Sequence, residues 1–368
     1  MPTNTPAIVI TGCGGYIGSH AMARLARRYP VVGLDLNRPA AVPRGAQYVE
    51  CDLTRDSSVR QAFDDVRSRF GDRLAGCIHL AAYYDFSGGP SPLYDQLTVQ
   101  GTARLLRELK QFTTQQFIFS STLLVMKAAE EERQTIRESS PVAPAWDYPR
   151  SKLRAENVIR EDHGDIPFAI LRIAGVYDED CHSIPLAQQI SRIHQKKLES
   201  YFFPGDADHG QPFIHIDDLT DCIERTVELR AKLAAEETFL IAEPDVVSYA
   251  VAQDRIGELI HGKEWPAIRV PKVVAKAGAW VGEKLAGEDE EAFIKPWMVD
   301  LADDHYPVAI DHARSVLGWQ PIHRLRETFP EMITRLKSNP VRWYEENNLP
   351  VPDEIRAATE EKKALGPR

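Results

Sequence analysis

The chain has 368 residues, of which 43% are hydrophobic and 27% charged, and its formal net charge is −10. This length predicts two lobes, and an acidic balance without a long basic run argues against a nucleic-acid partner. The amino end shows no leader-like segment, no run approaches the roughly 18 apolar residues of a membrane span, and the scattered cysteines contain no CxxC pair. We therefore expect a cytoplasmic protein with no membrane partner.

In the first half of the chain, short apolar runs alternate with stretches of helical periodicity. Strands are predicted at 7–11, 31–36, 76–82 and 116–121, and helices at 16–29, 59–70 and 98–112. Continuous apolar strands separated by helices indicate an α/β protein with a parallel sheet covered on both faces.

The second half of the chain is less regular. Strands are predicted at 167–173, 213–216 and 237–242, and helices at 186–197, 217–233, 251–261 and 311–317. We predict a first domain over 1–178 with a return segment near 213–242. A discontinuous second lobe is predicted over 179–335, followed by a polar surface extension over 336–368.

The stretch TGCGGYIGSH, residues 11–20, places Gly12, Gly15 and Gly18 between a predicted strand and a predicted helix. Glycines at these places allow a tight turn, close approach of the backbone to a diphosphate, and close packing of helix on strand. The free N–H groups and the dipole at the amino end of the helix favour an anion. The pattern predicts a dinucleotide site that also includes Tyr16 and Ile17.

Asp35 ends the second predicted strand. A carboxylate there can bind both hydroxyls of the adenosine ribose, and it would repel the 2′-phosphate of NADP. We therefore predict NAD as the cofactor, while the nearby Arg38 leaves NADP open. Asp52 and Leu53 follow the expected third strand and are predicted to flank the adenine.

The glycine loop resembles the cofactor loop of the extended short-chain dehydrogenase/reductases, the NAD-dependent epimerase/dehydratase family. Further stretches fit the family pattern in the same order over about residues 7–335: HLAA, VQGT, FIFSST, YPRSK, LRIAGVYD, FIHIDDL and DHARSVLGWQP. Each motif alone is weak, but together they are specific. The resemblance implies a Rossmann-type doubly wound parallel sheet with a smaller, mixed α/β C-terminal substrate-binding lobe.

The resemblance also places further residues against the cofactor. Leu80, Ala81 and Ala82 would pass beside it, where small side chains leave room, and Ile173 would line it as well. The family further implies a homodimer built from helix 98–112 and the helix that carries Tyr148.

The chemistry implied by the family is hydride transfer at a secondary alcohol. Tyr148 and Lys152 would lie on one face of a helix if Pro149 occupies its first turn. The Lys152 ammonium would stabilise the Tyr148 phenolate, whose ordinary pKa near 10 is too high for a base at neutral pH. Both residues are also expected to contact the cofactor. Thr122, or alternatively its neighbour Ser121, matches the family's catalytic Ser/Thr that holds the substrate oxygen.

Two departures from the family pattern concern the substrate. Gly175 stands where nucleotide-sugar members have an Asn that helps to hold the substrate phosphates. Tyr84 and Phe86 belong to an aromatic-rich loop that follows a strand, where ligands bind in such sheets. With Thr122, these two aromatic residues are the predicted substrate contacts.

Three functions are compatible with these residues. The first is epimerisation of a nucleotide sugar, because Leu123 and Leu124 stand where dehydratases have an Asp-Glu pair. The second is net NAD-dependent dehydrogenation of a hydroxysteroid-like or other apolar alcohol, which the missing Asn and the aromatic loop favour. The third is a non-catalytic dinucleotide sensor, against which the retained Thr122, Tyr148 and Lys152 argue.

Histidines and carboxylates elsewhere are expected to be structural. His79 is interpreted as a neutral core histidine on a buried strand. His209, His215, Asp217 and Asp218 could suggest a metal site, but the two aspartates stand where a helix begins and capping is the simpler interpretation. No bound metal is predicted.

Overall fold

A computed structural model describes residues 5–85, 88–131, 134–277 and 296–364. Its main feature is an eight-stranded, all-parallel sheet with the order β11-β7-β6-β4-β1-β2-β3, in which the short β5 pairs with β4. The strands are β1 (Ala7–Thr11), β2 (Val31–Asp35), β3 (Ala46–Glu50), β4 (Arg73–His79), β5 (Thr113–Thr114), β6 (Phe117–Thr122), β7 (Phe168–Ile173), β8 (Gly175–Tyr177), β9 (Phe202–Pro204), β10 (Phe213–His215), β11 (Glu236–Ile241) and β12 (Ile268–Val270). Strands β8 and β10, and strands β9 and β12, form two small parallel pairs.

The helices of the described residues connect these strands and cover the sheet. They are α1 (Tyr16–Leu25), α2 (Asp56–Phe70), α3 (Gln100–Leu109), α4 (Asp147–Asp162), α5 (Ile184–His194), α6 (Ile216–Leu229), α7 (Tyr249–His261), α8 (Pro296–Leu301), α9 (Asp311–Leu317), α10 (Leu325–Ser338), α11 (Pro340–Glu346) and α12 (Asp353–Ala364). None of the described helices combines the length and the apolar composition of a bilayer span.

Both faces of the sheet are buried, as the continuous apolar strands predict. Successive side chains of a strand point to opposite faces, so Ile8 and Ile10 enter one apolar core and Ala7 and Val9 enter the other. The first core also contains Met22 of α1. This two-sided burial confirms the doubly wound α/β class.

Several predicted elements have different bounds. The predicted helix 98–112 begins as a π-helical turn, Tyr94–Val99, and continues as α3. Strand β4 ends at His79, so residues 80–82 form the loop that follows it. An apolar Leu-Ala-Ala run continues the strand pattern in sequence, but no neighbouring strand pairs with it.

The second lobe has a core of its own, and the carboxyl-terminal part of the chain completes it. Trp343 and Tyr344 of α11 are buried there with Phe329 of α10 and Trp265. Part of the predicted polar surface extension enters this core. Leu336, Trp343, Tyr344 and Leu349 are buried there, whereas Lys337, Arg342 and Glu345 stay exposed. This segment contains only a few large apolar side chains among many charged residues, so its sequence alone indicated an exposed extension.

Candidate active site

The glycine loop closes the carboxyl end of β1 and leads directly into α1. Gly12 has a φ of +73°, and a Cβ atom there would lie 2.7 Å from the backbone nitrogen of Ala81. A Cβ atom at Gly18 would lie 1.9 Å from the carbonyl oxygen of Gly12. Both positions therefore require glycine, one for its conformation and its contact with residue 81, the other for packing of the helix on the loop.

The amino end of α1 is prepared for an anion. No side chain caps this helix, and its first turn contains no acidic residue. Its free N–H groups and its dipole face the cavity that Gly15, Tyr16 and Ile17 help to line. The loop thus fits the diphosphate of a dinucleotide.

Asp35 lies beside this loop at the end of β2. Its Oδ2 accepts a 2.9 Å hydrogen bond from the Gly14 nitrogen, and its Oδ1 accepts one of 3.2 Å from the Asn37 nitrogen. Arg38, the alternative partner for a 2′-phosphate, stacks over the Tyr48 ring at 5.6 Å. The geometry thus keeps a carboxylate next to the loop and directs the guanidinium to an aromatic ring.

The other predicted cofactor residues follow neighbouring strands. Asp52 comes after β3, where its Oδ1 accepts hydrogen bonds from the nitrogen and hydroxyl of Thr54. Leu53 is buried among the apolar side chains of one core. Leu80 and Ala82 line the same cavity as the glycine loop, as does Ile173 at the end of β7.

Tyr148 and Lys152 lie on α4, which begins at Asp147 and contains Pro149 in its first turn. Proline is tolerated there because the first N–H groups of a helix have no intrahelical partner. The Lys152 Nζ lies 5.9 Å from the centre of the Tyr148 ring and donates a 2.6 Å hydrogen bond to the Ser120 carbonyl oxygen. The Tyr148 hydroxyl has no hydrogen-bond partner among the described residues.

Burial changes the pKa of both groups. Desolvation lowers the pKa of Lys152 to about 7, against a smaller opposing effect of Glu156. Desolvation, followed by the nearby Tyr84 and Tyr94, raises the pKa of Tyr148 above its ordinary value. In the protein alone, Tyr148 is therefore protonated at neutral pH and ready to give a proton, whereas acting as a base requires added positive charge.

The serine and threonine side chains at the end of β6 point in different directions. The Ser121 hydroxyl donates a 2.5 Å hydrogen bond to Glu156, which is bidentately bound to Arg172 in a buried pair. The Thr122 Oγ1 accepts from the Leu124 nitrogen at 3.3 Å. A hydroxyl already committed to a buried carboxylate is a poor ligand for substrate, so this geometry favours Thr122 over Ser121.

A single cavity of about 860 Å³ connects these groups. It is lined by the glycine loop, by Thr122, Tyr148 and Lys152, and by side chains of the second lobe. Tyr84 also lines it, and its ring packs edge-on against Tyr148 at 4.7 Å between centroids. Phe86, the other predicted aromatic contact, lies outside the described residues.

Two tryptophans that the sequence analysis missed extend this aromatic wall. Trp146 packs against Tyr148 at 5.5 Å and against Trp297 of α8 at 5.2 Å. Trp146 could have been found from its position just before Tyr148. Trp297 has no local signal, since only tertiary packing brings it to the site.

His79 is a buried core histidine, as predicted. Its Nδ1 lies 2.6 Å from the Thr11 hydroxyl and its Nε2 3.0 Å from the Thr102 hydroxyl. Burial, with a smaller effect of Lys152, lowers the pKa of His79 to about 3. The ring is therefore neutral and ties the ends of β1 and β4 to α3.

The residues considered for a metal are only partly brought together. His209 lies elsewhere, against Asp303 and His305. His215, Asp217 and His323 offer ligand atoms within 4.8 Å of one another. The two imidazoles, however, are stacked at 3.9 Å with planes 18° apart, so their in-plane lone pairs run parallel and do not converge. That no metal binds here stays a prediction.

The capping interpretation of Asp217 and Asp218 needs a correction. Helix α6 is capped by His215, whose Nδ1 accepts from the Asp217 nitrogen at 3.2 Å. Asp218 instead accepts backbone hydrogen bonds from Ile322 and His323 and so fastens a distant loop. The sequence position of the aspartates suggested caps, but the helix begins one residue earlier, at Ile216.

Comparison with known families decides the assignment. The family model described as "NAD dependent epimerase/dehydratase family" matches residues 8–242. The chain belongs to the NAD-dependent epimerase/dehydratase family. It is an NAD-dependent enzyme of the extended short-chain dehydrogenase/reductase type, and the cradle formed by Gly12, Gly18 and the uncapped α1 fits that cofactor.

Individual relatives of this epimerase/dehydratase chain are distant. A putative UDP-glucose 4-epimerase of Methanocaldococcus jannaschii is 25% identical over 343 residues, which cover 90% of this chain and 99% of the relative. The UDP-glucose 4-epimerase of Streptococcus mutans is 26% identical over 241 residues, which cover 58% of this chain and 70% of the relative. A zebrafish (Danio rerio) protein named short-chain dehydrogenase/reductase family 42E member 1 is 26% identical over 288 residues, covering 72% and 70% respectively.

Solved structures share the fold. The UDP-glucose 4-epimerase of Thermus thermophilus, crystallised with NAD, has a TM-score of 0.66 at 18% identity, covering 90% of this chain and 99% of the other. At this identity the likeness supports the Rossmann-type architecture and does not extend to the substrate.

Proposed function

We propose that this enzyme oxidises and reduces a secondary alcohol, with Tyr148 as the proton-transferring residue. The observation that carries the proposal is the meeting of Tyr148, Lys152 and Thr122 with the glycine loop in one cavity. Bound NAD supplies the hydride acceptor and donor. Gly12, Gly15, Tyr16, Ile17 and Gly18 would hold its diphosphate, and Asp35 its adenosine ribose.

The proton transfers of this reaction are carried out by side chains of the protein. In the oxidising direction the carbon–hydrogen and oxygen–hydrogen bonds of the alcohol break, and the hydroxyl proton passes to the Tyr148 oxygen. In the reducing direction the Tyr148 hydroxyl returns that proton to the carbonyl oxygen. Lys152 stabilises the phenolate, and the Thr122 hydroxyl holds the substrate oxygen in place.

The relatives point to a nucleotide sugar as one substrate class. UDP-glucose 4-epimerases are prominent among them, and a neighbour with a TM-score of 0.62 was solved with UDP-glucose and NAD. With such a substrate the hydride returns to the same carbon from the opposite side, and the net result is epimerisation.

The outer cavity favours the second class, an apolar alcohol undergoing net oxidation or reduction. A Cβ atom at Gly175 would lie 3.0 Å from the Phe213 ring, so an asparagine there would require Phe213 to move. Apart from Lys152 and His182, which lie with the reacting groups and the glycine loop, the described part of the lining carries Arg192 and His209 against two acidic side chains, Glu199 and Asp304. A nucleotide diphosphate is bound best by an excess of cations, whereas aromatic walls bind apolar rings.

The experiment starts from protein purified without added cofactor. After denaturation, the NAD(H) and NADP(H) released per chain are quantified. The wild type is then incubated with UDP-glucose, monitored for the epimer, and with a panel of hydroxysteroids and other secondary alcohols plus NAD, monitored for NADH.

The two substrate classes give different results. Stoichiometric NAD with epimer formation would support the nucleotide sugar. A cofactor that exchanges freely, with NADH formed from an apolar alcohol, would support net dehydrogenation. A chain that binds NAD but transfers no hydride with either panel would favour the dinucleotide sensor.

Homodimerisation remains part of the proposal. The helices expected at the interface correspond to α3 and α4. Light scattering at micromolar concentration would give twice the chain mass if these helices pair, and a monomer mass would contradict the expectation.

A further inference from the structure

The first turn of the second lobe is fastened to the amino end of α1. The Tyr16 hydroxyl donates a 2.7 Å hydrogen bond to Asp178 Oδ2, and the Nδ1 of His182 lies 2.7 Å from the same oxygen. The His182 and Tyr16 rings are 4.9 Å apart, with planes inclined by 32°. Tyr16 is the first residue of α1, so His182 stands next to the expected diphosphate site.

The backbone of this turn is held in a conformation that few residues adopt. Cys181 has a φ of 84° and His182 a φ of 40°, two consecutive non-glycine residues in the left-handed region. Asp178 and Cys181 exchange backbone hydrogen bonds, and the Asn347 amide donates to the Asp180 carbonyl at 2.8 Å. Strain of this kind is retained where the surroundings impose it, and it concentrates at ligand sites.

His182 is oriented toward the cavity with one nitrogen available. Its side chain is 27% exposed and lines the cavity together with Gly15 and Ile17. Nδ1 is committed to Asp178, whereas Nε2 has no partner among the described residues. The carboxylate thus fixes the ring as it does in other carboxylate–imidazole pairs, leaving Nε2 to a ligand.

The local charges favour an anionic ligand at this nitrogen. The hydrogen bond to Asp178 raises the pKa of His182 above its ordinary value against the opposing effect of burial, and Asp180 and Glu346 add to the increase. When the imidazole is protonated, it shares one wall of the cavity with the positive end of the uncapped helix. Two positive groups placed so close are stabilised by an anion between them.

We propose that the protonated His182 imidazole donates a hydrogen bond from Nε2 to the diphosphate of bound NAD. The cofactor is then held from both lobes, by α1 of the sheet domain and by a residue of the second lobe. The side chains of Tyr16 and Asp178 are positioning groups in this arrangement, since they orient the ring. Tyr16 itself meets the anion through its backbone N–H at the start of α1.

The decisive comparison uses His182→Asn and a matched control, His20→Asn. Asparagine tolerates the left-handed conformation, so the turn is kept while the imidazole is lost. His20 packs edge-on against the Tyr16 ring at 4.8 Å between centroids, bonds the Tyr16 carbonyl oxygen and is exposed. It belongs to the same aromatic contact but does not line the cavity.

Dissociation constants for NAD, ADP-ribose and adenosine are measured by calorimetry at pH 6.5 and 8.5. We expect His182→Asn to raise the dissociation constants of NAD and ADP-ribose by about tenfold to a hundredfold at pH 6.5, because one charge-assisted hydrogen bond is lost. For adenosine, which lacks the diphosphate, the dissociation constant of His182→Asn should lie within about twofold of the wild-type value. For His20→Asn, the dissociation constants of all three ligands should lie within about twofold of the wild-type values.

The pH dependence provides a second readout. Wild-type NAD affinity should fall as the pH rises and His182 loses its proton, and His182→Asn should show a smaller fall. The groups that face the ring are Asp178 and Asp180 of its own turn, Tyr16 of α1 and Glu346 of α11. Lys152 also titrates in the cavity, and its contribution to the pH dependence of NAD affinity is present in both the wild type and His182→Asn.

Three results would overturn the proposal. An equal loss for adenosine and NAD would show a structural role. Unchanged NAD binding with a raised substrate KM would place His182 on the substrate. A wild-type NAD dissociation constant that does not rise as the His182 imidazole loses its proton would exclude the protonated contact, even if His182→Asn failed to fold.

Discussion

Lys152 approaches Tyr148 from the next turn of α4, with its Nζ 5.9 Å from the centre of the tyrosine ring. Its hydrogen bond to the Ser120 carbonyl holds the ammonium on the side of the sheet. The two groups are therefore adjacent, and the hydrogen bond of the ammonium goes to the Ser120 carbonyl and not to the tyrosine hydroxyl.

The first prediction concerns Tyr148→Phe. Removing the hydroxyl eliminates the proton donor and acceptor, so kcat should fall by about a hundredfold to ten-thousandfold in either direction. NAD should still bind within about twofold, because the ring remains to pack against Tyr84 and Trp146. Single-turnover kinetics with calorimetric NAD titration would check this, and retained activity would contradict the assignment.

The second prediction uses the lowered pKa of Lys152. Below about pH 7 the residue is charged in both the folded and the unfolded chain. Between pH 7 and the ordinary lysine pKa near 10.4, the unfolded chain binds more protons, so this group makes the free energy of unfolding rise with pH. Replacing it by methionine removes that contribution.

Urea unfolding of wild type and Lys152→Met at pH 7 and pH 9 measures this effect. The free energy of unfolding of the wild type minus that of Lys152→Met should increase from pH 7 to pH 9, by on the order of 2 kcal/mol. The buried cysteines and tyrosines titrate identically in both proteins and cancel. A difference that stays constant between pH 7 and pH 9 would show that the lysine remains charged when folded and would contradict the prediction.

The third prediction compares two glycines with similar φ angles. Gly12 has a φ of +73° and a close backbone neighbour at residue 81, whereas Gly262, which follows α7, has a φ of +72° and no atom within 4 Å of an added Cβ. Gly262→Ala should cost only the left-handed strain, about 1–2 kcal/mol, and leave NAD binding intact. Gly12→Ala should abolish measurable NAD binding. Equal NAD affinity in both variants would remove Gly12 from the cofactor site.

The fourth prediction addresses cofactor choice through Asp35→Asn. The amide oxygen can still accept one backbone hydrogen bond, so the loop is kept while the negative charge is lost. NAD should bind about tenfold more weakly and NADP should gain relative to NAD, because the repulsion of the 2′-phosphate is removed. Fluorescence titration with both dinucleotides tests this. An unchanged ratio of the NAD and NADP dissociation constants would show that Asp35 does not contact the adenosine ribose.

Most of the sheet and the chemical centre could be predicted from the sequence, because their signals are local. Strand β1 agrees with its predicted bounds, and β7 and β10 differ from theirs by one residue at one end. Pro149 does occupy the first turn of α4, which puts Tyr148 and Lys152 on one side of that helix. Alternation along β6 predicts different surroundings for Ser121 and Thr122, and their hydrogen-bond partners do differ, although both residues line the cavity.

What the sequence could not predict depends on long-range packing. Trp297 of α8 packs against Trp146, and the spacing of apolar residues along the sequence does not predict that contact. The left-handed turn at Cys181 and His182 contains no glycine to mark it. The burial of Trp343 and Tyr344 was hidden because a helix contributes only a few residues to a core while its other faces stay charged.

The core of the second lobe has a consequence for synthesis of the chain. Once β11 ends at Ile241 the main sheet has all its strands, but the second lobe still lacks α10 and the buried aromatic residues before Leu349. At ordinary translation speeds, the intervening stretch of roughly a hundred residues takes on the order of 10 s to emerge from the ribosome. During that interval the nascent chain exposes apolar side chains such as Ile190 and Ile193, so we expect it to be a substrate for ribosome-associated chaperones.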